Sequence, residues 1–260
     1  MKNLCHKYAY IYGKKVSWYE TKEISHNKKT VLFVHGIASK GEHWEGIVSA
    51  IVGQYNVYII NRPGYATSDF YGCSNLKLYC DFLIELFRIM GIPTPFIYVG
   101  HSLGAFLGLY LSMYVKNIEK LILLAPFVKY NVSNVLCYSE VECKKKVYNS
   151  SMHSFPTDIS QEMVEGFQKD IEQMSAAAIF NDFRILLNHE IDINELGSNI
   201  LPTYILYASD DEVVSIRKIR KICENIKFCK SYKIQWGGHN FFISNPEECI
   251  VAIKEILKIE

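Results

Sequence analysis

No apolar run in this 260-residue chain approaches the roughly 20 residues a helix needs to cross a bilayer, which argues against a membrane-spanning protein. An excess of charge of either sign is also missing. The formal net charge is +1, which gives no reason to expect nucleic acid or a membrane surface as partner. Eight cysteines are present, but none forms a C-x-x-C pair, so a zinc site is not indicated. There is no H-E-x-x-H, no P-loop and no G-x-G-x-x-G after a strand; no metal or organic cofactor is implied. The absence of internal repeats excludes a solenoid. The opening residues, Met1 to Lys7, lack the apolar core of a signal peptide. The expectation is therefore cytoplasmic, with reduced thiols packed as small hydrophobes.

What remains is an ordinary globular composition, 49% apolar and 21% charged, on a chain long enough to bury a large core. Tyr8–Tyr12 and Lys15–Glu20 read as two early strands separated by Gly13. Thr30–His35, Val57–Ile60, Phe96–Val99, Leu121–Leu124 and Tyr204–Tyr207 are continuous apolar runs, the pattern of strands buried on both faces in a parallel sheet. Helical patterns separate them: Leu76, Tyr79, Leu83, Phe87 and Met90 recur at helical spacing until Gly91 and Pro93 stop the helix. A second helix follows Ser102, and a last one begins near Pro246. Strand alternating with helix predicts a doubly wound α/β sheet.

One stretch breaks the rhythm. Residues 126–199 contain no strong parallel-strand run, and they hold 6 Lys or Arg against 11 Asp or Glu, net −5, where the remainder is net +6. So long a gap between sheet strands predicts a helical cap inserted into a core of residues 1–125 and 200–260.

The strongest chemical signal is Gly100-His101-Ser102-Leu103-Gly104, a G-x-S-x-G motif at the junction of a strand pattern and a helix pattern. A serine there sits on a strained turn, and the positions two before and two after it must lack a Cβ. A hydroxyl needs a base. His239, in Trp236-Gly237-Gly238-His239-Asn240, follows a strand pattern and comes last in the chain order Ser…Asp…His. His101 should point away from the serine, and His35 should brace the loop after its strand. The acid that orients the base falls in Ser209-Asp210-Asp211-Glu212, where spacing alone leaves the three carboxylates open.

The sequence resembles the α/β-hydrolase superfamily, in the branch with a helical cap between the sixth and seventh strands of a mostly parallel eight-stranded sheet covered by helices on both faces. His35-Gly36-Ile37 resembles the H-G-x oxyanion loop. Asn61-Arg62-Pro63-Gly64-Tyr65-Ala66-Thr67-Ser68 resembles the D-x-P-G-x-G-x-S turn, with Asn61 in place of Asp and Ala66 in place of Gly. Ala208 to Val214 fits the family's acid loop with Asp211 as the acid and Asp210 as its alternative. The resemblance implies an oxyanion hole built from the backbone N–H groups of Ile37 and Leu103. It also implies hydrolysis of a small-molecule acyl ester through an acyl-enzyme on Ser102. Phe127, Val128, Phe155, Met163, Phe167, Met174, Ile179 and Phe180 are candidate lid residues for an acyl pocket, or plain lid core.

His239 to Glu248 is similar to carboxylesterases that demethylate pimeloyl-carrier-protein esters. Carrier proteins are acidic, however, and a cap at net −5 would repel one; only Lys144-Lys145-Lys146 offers a basic patch. Epoxide hydrolases and haloalkane dehalogenases carry Asp where this chain has Ser102. Thioester hydrolysis, acyl transfer, C–C bond hydrolysis and perhydrolysis use the same three residues, and a hydrolase-fold receptor without turnover is the non-catalytic alternative.

Overall fold

The computed structural model describes residues 1–130, 139–198 and 200–258. The expected cap boundary at Asn199, the segment 131–138 within the cap, and Cys137 lie outside the described residues.

Eight strands form one sheet: β1 (Leu4–Ile11), β2 (Lys14–Thr21), β3 (Thr30–Val34), β4 (Asn56–Ile60), β5 (Phe96–His101), β6 (Ile118–Leu124), β7 (Thr203–Ala208) and β8 (Cys229–Ile234). Their order is β1-β2-β4-β3-β5-β6-β7-β8. The first two strands pair antiparallel, β2 joins β4 antiparallel, and the rest of the sheet is parallel. The central strands are apolar throughout because both faces are covered. Leu32 and Val34 of β3 enter one core while Val31 and Phe33 enter the other, as the two-residue period of a strand requires.

On the first face lie α2 (Leu76–Ile89), α3 (Leu103–Ser112) and α7 (Ile216–Asn225); on the second lie α1 (Glu45–Ser49), α8 (Phe241–Ser244) and α9 (Pro246–Leu257). Asn75 starts α2 by accepting the Leu78 N–H at 3.0 Å, one of the orphan donors of a helix start. Pro246 opens α9 at its first turn, where a missing N–H costs nothing. Eight of the ten residues of α3 are buried, which makes it the most enclosed of these helices; each fully buried Leu or Phe in it contributes roughly 1.5–3 kcal/mol.

Between β6 and β7 the chain leaves the sheet and forms α4 (Glu140–Ser150), α5 (Gln161–Gln173) and α6 (Ala176–Asn188). A capping box at Ser139 and Glu142 begins α4, and Ser160 and Ser175 cap α5 and α6. β6 and β7 are neighbours in the sheet, so the excursion starts and ends at one place. Its two stems meet where the Ile191 N–H donates to the Val128 carbonyl at 3.0 Å.

The expectation of reduced thiols throughout needs correction, because Cys223 and Cys229 are joined by a disulfide. The chain reverses tightly between α7 and β8 and brings their Cα atoms to 5.3 Å, within bridging range. Cys5, Cys73, Cys80, Cys143 and Cys249 are free, and all but Cys5 are buried. Burial pushes the Cys73 thiol up to about 12 and Cys143 to about 11, as befits packed, inert thiols. Among the described residues no helix is long and apolar enough to cross a membrane.

Candidate active site

Four loops at the C-terminal ends of β3, β5, β7 and β8 converge above the sheet. The sharpest is the turn from β5 into α3. Ser102 has φ 52° and ψ −115°, a left-handed backbone that L-residues avoid unless their surroundings impose it. A Cβ on Gly100 would run into the Gly104 backbone, and one on Gly104 into the Val34 carbonyl. Tyr98 steadies the turn from within the sheet, its hydroxyl donating to the Gly104 carbonyl at 2.7 Å.

His239 is set by two neighbouring aspartates with different tasks. Asp210 accepts the N–H groups of Gly237 and Gly238 at 3.1 and 3.0 Å, which holds the loop in front of the histidine. Asp211 accepts the Nδ1–H of His239 at 2.9 Å through Oδ2. Its Oδ1 accepts the N–H groups of Val213 and Val214 at 2.8 and 2.9 Å. At 2.9 Å on the other side of the ring, His239 Nε2 accepts from the Ser102 hydroxyl. Burial pushes the Asp211 carboxyl upward, but the adjoining His239 and the Val214 and Val213 amides outweigh it and hold the carboxyl below its ordinary value. A depressed carboxyl contributes stability that is fully present above the unfolded-chain value of about 3.9 and is lost as pH falls through the folded value. Thermal melting between neutral and acid pH is therefore expected to show a steeper acid loss in wild type than in Asp211→Asn. Parallel curves for the two proteins would contradict this.

His101, His35 and His43 are braces. The Nε2–H of His101 donates to the His239 carbonyl at 2.9 Å, and burial and the neighbouring His239 hold its pKa well below the ordinary range. Thus the residue before the serine carries the backbone of the loop that bears His239. His35 accepts the Arg62 N–H at Nε2 (3.0 Å) and donates from Nδ1 to the Gly36 carbonyl (2.9 Å). Burial keeps it neutral. A second Ser–His–Asp chain, Ser39 Oγ to His43 Nδ1 and His43 Nε2 to Asp170 Oδ2, both 2.9 Å, ties the loop after β3 to α5. Ser39 is 1% exposed, so this chain holds two elements together and offers no accessible hydroxyl.

Ile37 lies beside Ser102 on a cavity of about 320 Å³, and Leu103 begins α3. Gly36 passes so close to the elbow that a Cβ there would sit 3.0 Å from the Ser102 Cβ. Of the lid residues expected at an acyl pocket, Phe127 and Phe167 line this cavity. Phe155, Met174 and Ile179 are buried in the core, and Phe180 lines a separate surface cavity. Tyr130, Val147, Phe183, Leu186 and Val213 add apolar wall, and Ser150, Ser151, His153, Ser154 and Glu212 add polar lining. Sequence reasoning missed Val147, Phe183 and Leu186 because the rotation of α4 and α6 about their axes decides which residues face inward, and Tyr130 and Val213 because they lie on loops. Arg62 was also passed over, although an arginine flanked by a strand and a proline in an apolar stretch is a signal for a buried, fully paired cation. Among the described residues no cluster of His, Cys, Asp and Glu could hold a metal ion.

The two departures from the D-x-P-G-x-G-x-S turn have local accounts. The Asn61 Oδ1 accepts the Gly41 N–H at 2.9 Å while its Nδ2 donates to Ser17 Oγ at 3.0 Å, so both ends of the amide are used. Ala66 takes φ 50°, a left-handed position where glycine is free of the ~1–2 kcal/mol cost of a Cβ.

This arrangement is that of a hydrolase of the α/β-hydrolase fold. The model of the family described as "alpha/beta hydrolase fold" matches residues 29–191, and the chain belongs to that family. It is 20% identical over 261 residues to a monoacylglycerol lipase of Xenopus laevis, covering 89% of this chain and 76% of that protein. It is 19% identical over 241 residues to a pimeloyl-acyl-carrier-protein methyl ester esterase of Vibrio campbellii, covering 86% and 93%. The solved enol-lactonase of Burkholderia xenovorans superposes with a TM-score of 0.89 at 12% identity, covering 97% of this chain and 100% of that one, a likeness of fold.

Proposed function

We propose that this chain is a serine hydrolase that cleaves a carboxylic ester or thioester of a small to medium acyl substrate through an acyl-enzyme on Ser102. The observation that carries the reading is the unbroken hydrogen-bonded chain Ser102–His239–Asp211 opening into a cavity of mixed apolar and polar lining. At about 320 Å³, that cavity is at the small end of ligand sites. Two of the relatives, a lipase and a methyl ester esterase, carry names that describe ester cleavage and favour that reaction class.

In the proposed mechanism His239 Nε2 takes the Ser102 proton as Oγ bonds to the acyl carbon. Asp211 holds the imidazole with Nδ1 protonated and stabilises the imidazolium that results. The Ile37 and Leu103 N–H groups receive the oxyanion, each worth about 2.7–4 kcal/mol. The C–O bond then breaks as His239 returns its proton to the departing alcohol, and water releases the acyl group by the same route. The insertion expected over residues 126–199 acts as the cap, since Phe127, Phe167, Phe183 and Leu186 of its described part supply wall to the cavity. The cap's net charge of −5 favours a small-molecule ester over an acidic carrier protein. Cytoplasmic location rests on the five described free cysteines, and the Cys223–Cys229 disulfide, the one among the described residues, argues the other way.

The test is intact mass after treatment with a fluorophosphonate, on wild type and Ser102→Ala in parallel. One adduct on wild type and none on the variant is expected. An unlabelled, folded wild type would move the chain to the receptor class.

A further inference from the structure

Arg62 is fully buried, and its guanidinium is shared among four partners. Nε donates to the His35 carbonyl at 2.9 Å, Nη1 to the Tyr79 hydroxyl at 2.8 Å, and Nη2 to the Gly36 carbonyl at 2.7 Å. The same Nη2 lies 2.9 Å from Asp182 Oδ2, itself buried and accepting the Tyr65 hydroxyl at 2.6 Å. Asp182 belongs to α6, and the residue after it, Phe183, lines the cavity together with Leu186 one turn on. One side chain therefore touches the loop after β3, the core helix α2 and the helix that forms the substrate wall.

The Gly36 carbonyl and the Ile37 N–H are two ends of one planar trans peptide, so they point in opposite directions and cannot be aimed independently. Two donors grip the carbonyl: His35 Nδ1 at 2.9 Å and Arg62 Nη2 at 2.7 Å. Fixing the oxygen fixes the hydrogen. A cation on the carbonyl also polarises the peptide and strengthens its N–H as a donor. We propose that Arg62 is a positioning residue that aims the Ile37 N–H at the oxyanion beside Ser102, and that Asp182 ties this aim to the cap helix bearing Phe183 and Leu186. The proposal rests on the Ser102 reading above. A buried ion pair that served folding alone would need no contact with Gly36.

A pair exchange separates aiming from folding. Replacing a buried ion pair by apolar residues of similar volume is often neutral for stability, whereas removing one partner strands a charge. Arg62→Met with Asp182→Leu is therefore measured in the full chain with p-nitrophenyl butyrate, alongside wild type, Ser102→Ala and Arg62→Lys. The double variant leaves the buried Tyr65 and Tyr79 hydroxyls without these partners, so it is expected to fold but to melt below wild type, with KM near wild type and with kcat lowered about 10- to 100-fold through a misaimed donor. Arg62→Lys keeps the charge for Asp182 but offers one nitrogen where arginine uses three. It is expected to show the same split, and it serves as the readout should the double variant not fold. Wild-type kcat in either folded variant would overturn the proposal and leave the Ser102 reading standing. Turnover surviving in Ser102→Ala would remove that reading, and this one with it.

Discussion

Ser102→Ala is expected to lower kcat for an activated ester on the order of 10⁶-fold, the scale seen when the nucleophile of such a triad is removed, with KM little changed. The effect should be this large because the three groups act as a unit. Without Oγ there is no bond to the acyl carbon, and His239 has no proton to take. Folding should be spared. The strain at φ 52° is a property of the backbone, held by Gly100, Gly104 and the Tyr98 hydroxyl, and alanine meets the same geometry with one atom fewer. Melting temperature measured beside kcat separates the two effects. A variant with wild-type stability and more than about one part in 10³ of wild-type turnover would exclude Ser102 as nucleophile.

The second large effect should divide two adjacent aspartates. Asp211→Asn is expected to cost about 10⁴-fold in kcat, because an amide at that place can hold the wrong tautomer of the imidazole. Asp210→Asn removes no group that touches the histidine ring. Its carboxylate oxygens accept the Gly237 and Gly238 N–H groups, and an amide keeps one acceptor while turning the other into a donor facing a donor. The expected cost is in loop stability, about 1–3 kcal/mol, with kcat within roughly tenfold of wild type if the histidine keeps its place. Equal losses from the two variants, measured by kcat and melting on the same preparations, would mean that the carboxylates share one role.

That division marks how far the sequence could be read. The G-x-S-x-G turn is legible because its constraint is local: five consecutive residues define a geometry that needs two positions without a Cβ. The sheet is legible for a related reason, since runs such as Thr30–Val34 and Phe96–Val99 can be satisfied only between two covered faces. The acid loop is legible only as a loop. Asp210 and Asp211 are chemically identical, and what separates them is the direction in which each side chain leaves the chain after β7.

The cavity wall is less legible still. Phe183 and Phe180 lie three residues apart on α6, yet one lines the cavity with Ser102 and the other a different cavity. Their facing depends on how α6 docks, and its docking depends in part on Asp182 meeting Arg62 across 120 residues of chain. The disulfide escaped for a similar reason. Six residues of separation say nothing until α7 and β8 are known to turn back on each other.

The pinch between Val128 and Ile191 bears on how such a molecule can diversify. Because the excursion leaves beside β6 and returns beside β7, its length and content can vary without altering the register of any strand. A graft joined at those two residues would keep the elbow, His239 and its neighbouring aspartates intact while exchanging much of the wall around them. On the proposed function, chemistry and selectivity would then be carried by nearly separate parts of the chain. The exceptions include Asp182 and Asp170, which a donor segment would have to match to keep Arg62 paired and the loop after β3 tied to α5.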